Sequence, residues 1–120
     1  MGEDLWIKAN RLERDGRFEE ALKLYLEECE RSRDLLIQAI SLLSAARCAI
    51  KMERMEYAME LFEEAGRRYE EYAESSKDTA PNLAKWAYGI ASRCYQLAGD
   101  LKSALNMLRK TGAVSYTHLT

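Results

Sequence analysis

The side chains best suited to chemistry in this chain are glutamates in adjacent pairs, three scattered thiols and one imidazole. Glu19-Glu20, Glu63-Glu64 and Glu70-Glu71 put two carboxylates side by side, the raw material of a metal site or of general acid–base catalysis. A helical di-metal centre wants Glu-x-x-His, with the imidazole one turn from the carboxylate. The only histidine, His118, stands near the C-terminus, far from every glutamate pair. Lys23, Arg67 and Arg68 follow the first two pairs one turn on, the pattern of a solvated helix face laced with ion pairs. Cys29, Cys48 and Cys94 are odd in number, widely spaced and without a CxxC, so neither a disulfide framework nor a zinc site is indicated. They are expected to be reduced, buried thiols. With no glycine-rich phosphate loop either, the chain reads as non-catalytic, with no metal and no cofactor.

Partner classes narrow next. Eighteen basic residues against twenty acidic ones give no field that would draw the chain onto nucleic acid or an anionic membrane. No stretch approaches the roughly 18 apolar residues of a membrane span, and "MGEDLWIKAN" carries acids where a signal peptide carries bases. A cytoplasmic location without membrane insertion is the expectation. Trp6 and Trp86 read as core or groove wall rather than as platforms for stacking bases.

The elements that must position these residues are all helical. At 48% hydrophobic and 32% charged, with one Pro and six Gly, the chain repeats apolar residues at intervals of three and four, and strand-type alternation is absent. Helices are expected at about 3–14, 17–31, 35–52, 55–76, 81–98 and 100–110. Asp15-Gly16 and Gly99-Asp100 break the first and third pairs, since glycine ends a helix cheaply in the left-handed region. The middle break, "KMERME", has no glycine and rests on periodicity. Asp34 is placed to cap the third helix, and Asp78 or Thr79 the fifth, with Pro81 in its first turn. "LLIQAISLLSAARCAI", from Leu35 to Ile50, is apolar on nearly every face and needs neighbours on both sides.

A unit recurs through these helices. Ala21, Ala58 and Ala104 are each preceded twelve positions earlier by a small residue, Ala9, Ala46 and Ser92, and followed four later by Tyr25, Phe62 and Leu108. Phe18, Met55 and Leu101 stand three before. The internal interval is constant although the units are spaced by 37 and then 46 residues. Small residues where two helices cross permit a close approach, and bulky neighbours fill the groove. A larger side chain at Ala58 is expected to overpack by about 1–3 kcal/mol.

The pattern of Leu5, Ala9, Leu12, Gly16, Phe18, Ala21 and Tyr25, with Tyr88, Ser92, Tyr95, Gly99, Leu101, Ala104 and Leu108, resembles the tetratricopeptide repeat. The middle unit, with Leu42, Ala46, Ala49, Ala58, Phe62 and Ala65, has Glu53 where that family prefers glycine. The units, at about 3–31, 35–76 and 81–110, are long against the usual repeat of about 34 residues, and in this they resemble the soluble attachment proteins of membrane fusion. The resemblance implies an all-α, right-handed superhelical stack of three antiparallel hairpins over residues 1–111. It implies a protein-interaction scaffold, or a trafficking adaptor, or a regulatory segment of a larger enzyme or transcription regulator.

In this family the first helix of each pair lines a concave groove. The corresponding rows here are Trp6, Asn10 and Arg14; Ile40, Ser44, Arg47 and Lys51; and Trp86, Ile90 and Arg93. Apolar and cationic residues alternate, as suits a peptide with acidic groups between apolar anchors. The family's clamp for chaperone C-terminal carboxylates is not expected. Of its polar positions only Asn10 agrees, while Trp6, Ser44, Trp86 and Ile90 occupy the others.

The end of the chain, "AVSYTHLT", has no helical period. Its run Val114 to Leu119 resembles a translated sequencing adapter, so residues 112–120 read as a non-native or disordered tail and the stack as truncated. A helical stack needs a polar cap at its end. Self-association through the exposed end, or a frayed last helix, is therefore expected.

Overall fold

A computed structural model describes residues 4–112; His118 and the run Val114 to Leu119 lie outside them. The described residues form six helices, α1 (Leu5–Arg14), α2 (Phe18–Arg31), α3 (Leu35–Lys51), α4 (Met55–Ser76), α5 (Pro81–Leu97) and α6 (Leu101–Thr111), and no strand. Each helix packs on the next in sequence, α1 on α2 through to α5 on α6. The molecule is elongated, 53 × 33 × 19 Å, with a radius of gyration of 15.6 Å, where a globule of this length would have about 14 Å.

Backbone geometry explains why the three pairs fold alike. After α1 the Gly16 amide donates to Glu13 O and the Arg17 amide to Leu12 O. After α3 the Glu53 amide donates to Ile50 O and Arg54 to Ala49 O; after α5 Gly99 donates to Gln96 O and Asp100 to Tyr95 O. All three are the same double hydrogen-bonded stop, which satisfies the last helical carbonyls and requires a left-handed residue. That residue is Gly16 at φ 79°, Glu53 at φ 60° and Gly99 at φ 84°. The middle turn thus takes the glycine conformation without glycine. Where the chain passes between pairs the chemistry differs. Asp34 Oδ1 accepts from the amides of Leu36 (2.8 Å) and Ile37 (3.2 Å), and Asp4 does the same for α1. Neither Asp78 nor Thr79 caps α5: its N-cap is Ala80, which offers no side-chain acceptor, with Pro81 in the first turn.

The expected crossings are buried. Ala9, Ala21, Ala46, Ala58, Ser92 and Ala104 are at most 3% exposed, and Ser92 Oγ donates to Ala104 O at 2.9 Å, so the third pair closes through a hydroxyl. Tyr25 and Phe62 are buried with them. The flanking positions behave less uniformly. Leu108 is only half-buried, with Met107 taking the interior place on α6, and Met55 (54%) and Leu101 (69%) are exposed where Phe18 is half-buried. In α3, packed by α2 and α4, eight residues are buried, which accounts for an apolar sequence on nearly every face.

Candidate functional site

Alanine-rich crossings fix α1, α3 and α5, and the rows they present were the sequence's candidate surface. The structure treats the three rows differently. Trp6 is half-buried and stands edge-on to Tyr25, ring centroids 5.2 Å apart; with Glu28, Ile37 and Ile40 it lines an apolar cleft of about 370 Å³. The Asn10 amide is committed to its own helix, Nδ2 donating to Trp6 O at 2.8 Å. Arg14 is exposed at the end of α1.

On α3, Ser44 is buried at 3% exposure and presents nothing outward. The Arg47 guanidinium makes two bonds to Glu13, Nε to Oε2 at 2.5 Å and Nη2 to Oε1 at 2.7 Å, while Tyr25 donates its hydroxyl to Glu13 Oε1 at 2.8 Å. This trio joins α1, α2 and α3. Arg47 holds the Glu13 carboxyl below the ordinary carboxylate value, against the opposing effect of burial, and Glu13 in turn raises Arg47. Burial first, then the carboxylate, lifts the Tyr25 phenol above its normal range. Arg47 is therefore a structural cation with its charge already answered. Lys51 is exposed at the end of the row.

The α5 row is the open one. Trp86 is 47% exposed, its ring edge-on to Tyr69 of α4 at 6.1 Å; Ile90 is half-buried and Arg93 exposed. Leu83 (42%) and Leu97 (50%) extend this row at both ends. Positions 83, 86, 90, 93 and 97 recur at three and four, so they share one helix face. Continuing that period would have found both leucines in the sequence. Glu13 had no comparable signal, because its partners lie 12 and 34 residues away.

A second group of carboxylates also works structurally. Tyr95 donates to Glu70 Oε1 at 2.7 Å, and Tyr88 donates to Glu74, whose carboxylate also meets Lys77 and Lys110. Glu63 and Glu64 pair with Arg67 and Arg68. Among the described residues no group of three His, Cys, Asp or Glu is placed to hold a metal ion. Burial pushes the thiols up, Cys48 to about 11 and Cys94 to about 12, away from the thiolate that a nucleophile needs. What the arrangement offers a ligand is apolar surface with a cation set into it.

No family model, curated protein or solved structure matches the chain.

Proposed function

We propose that this chain is a non-catalytic scaffold of the tetratricopeptide type, a right-handed stack of three antiparallel hairpins that binds a peptide or protein segment along the face of its odd-numbered helices. The observation that carries the reading is the exposed row Leu83, Trp86, Ile90, Arg93 and Leu97 on a helix whose opposite face is buried. A preformed surface loses little ordering entropy on binding. Trp86, propped by Tyr69, supplies a large rigid anchor of the kind that dominates binding energy. Arg93 supplies a site for one acidic group between apolar contacts. With Arg47 held by Glu13, the working end of the groove is α5.

The test is selection of peptides from a displayed random library on the intact chain, followed by affinity measurements on variants. Trp86→Ala is expected to cost at least tenfold, and Arg93→Glu to remove the preference for an acidic residue. Unchanged affinity in both variants, with folding intact by circular dichroism, rejects this surface.

A further inference from the structure

The junction between the first and second pairs differs from the next junction in what fills it. Trp6 of α1, Glu28 of α2, and Ile37 and Ile40 of α3 surround an apolar cleft of about 370 Å³. By the internal repeat Ile37 and Ile40 correspond to Leu83 and Trp86 of α5, and Glu28 to Ala65 of α4. At the second junction the 22-residue α4 runs on past Ala65 and sets Tyr69 edge-on to Trp86, ring centroids 6.1 Å apart. At the first, α2 ends after 14 residues, and the position of Tyr69 is taken by Ser32, already extended at φ −83° and ψ 144°. Its hydroxyl accepts from the Asp34 amide at 3.0 Å, which commits it to the turn into α3. Isoleucine and serine thus stand where the next junction has two rings. The opening follows from the length of α2 and from these two smaller side chains.

Glu28 constrains what can fill the cleft. It stands where the second unit buries Ala65 at 0% exposure, it is itself half-buried, and among the described residues its carboxylate has no hydrogen bond or ion pair. The nearby cations are engaged elsewhere: Arg31, one turn on, pairs with Glu27 at 2.8 Å, and Arg68 of α4 bonds Gln38 and Glu64. An uncharged occupant would strip water from the carboxylate and leave it unanswered, which is costly. A cation on an apolar stem satisfies both kinds of wall. Glu28 lies in the last turn of α2, where the negative end of the helix dipole also favours a cation. A guanidinium suits the place best, being planar, weakly hydrated, matched to a carboxylate and attracted to an indole.

We propose that this cleft takes an arginine side chain of a protein partner, its stem on Ile37 and Ile40 and its head between Glu28 and Trp6. The cleft shares no residue with the α5 row, so neither reading depends on the other. The probe is a capped pentapeptide with arginine between pairs of alanines, compared with a twin carrying citrulline, which keeps the shape and lacks the charge. Binding to the intact chain is followed at the Trp6 and Trp86 indole resonances. The arginine peptide shifts Trp6 with an affinity about fivefold above that of its twin, and Glu28→Gln removes the difference. Ile40→Trp, which copies the second junction, weakens both peptides with helix content unchanged. Equal affinity for the two peptides, a difference that survives Glu28→Gln, or a response at Trp86 with Trp6 unmoved overturns the proposal. A response at Trp6 gained only when residues 1–3 are removed overturns it in favour of the chain's own N-terminus, and a dimer by light scattering that Ile37→Ser dissociates overturns it in favour of a second copy.

Discussion

Glu53 is the residue at which sequence and backbone conflict most openly. It occupies the left-handed position that Gly16 and Gly99 fill in the other pairs, and a side chain there costs about 1 kcal/mol relative to glycine. Glu53→Gly should stabilise the fold by about 1 kcal/mol, read as a rise of several degrees in a thermal melt; no rise would mean that the Glu53 side chain repays its strain by contacts of its own. Glu13 makes a pH-dependent contribution. Its carboxyl is held below the ordinary value in the folded chain, so folding favours the ionised form. The stability it contributes is complete above the unfolded carboxylate pKa near 4 and is lost as pH falls through the lower folded value. Since Arg47 is about half exposed, solvent limits the pair to about 1 kcal/mol. Glu13→Gln should flatten this acid limb of stability in denaturant titrations at pH 3 to 6; an unchanged limb would assign it to other carboxylates. Thiol labelling checks burial: Cys48 and Cys94 should react only on the timescale of opening, with Cys29, half-buried, reacting first. The pairing of Glu63 and Glu64 with Arg67 and Arg68 was legible in the sequence, but the roles of Glu70 and Glu13 were not. Nothing local distinguishes a glutamate whose partners arrive from the two following helices.

Among the elements, all six helices were legible, with observed bounds within two residues of those expected, because the period of three and four persists through each. The caps were less so. Asp34 caps where expected, yet Ala80 heads α5 with no side-chain acceptor, because the first-turn proline has no N–H to satisfy and fixes its own backbone. The crossing of α4 and α5 was also hidden: Gly66 is buried, and a Cβ there would lie 3.2 Å from the Tyr95 ring and 3.3 Å from Cys94 Cβ. A glycine inside a helical pattern reads as a weakness from sequence, whereas here its missing side chain sets the distance between two helices. Gly66→Leu should destabilise by about 1–3 kcal/mol through overpacking. Gly66→Ala should stay within about 1 kcal/mol of the parent, the gain in helix propensity offsetting a few tenths of an ångström of movement by Tyr95. A leucine variant as stable as the parent would show that the two helices separate freely.

At the scale of the whole molecule, three identical turns place three helix pairs in line, giving a long, thin body with different surfaces at its two ends. Among the described residues, α1 exposes Asp4, Lys8, Arg11 and Asp15 beside Ile7, and α6 exposes Leu101 and Leu105 beside Lys102 and Lys110. Between them the odd-numbered helices pass from an ion-paired region at Glu13 and Arg47 to an open apolar row on α5. The helix on which each candidate residue lies could be read from sequence, because the periodicity marks α1, α3 and α5. Which members were available could not, because burial of Ser44 and pairing of Arg47 depend on neighbouring helices. Charge reversal separates these roles. Arg47→Glu should lower stability, since it sets two carboxylates side by side, while Arg93→Glu should leave stability unchanged and alter binding alone. The most direct test of the scaffold account is an amide and indole NMR map of the intact chain titrated with a library-selected peptide. The account predicts shifts concentrated at residues 83–97 and at the Trp86 indole, weakening toward α1. Shifts confined to the turns near Glu53 and Gly99, with the α5 row unmoved, would contradict it.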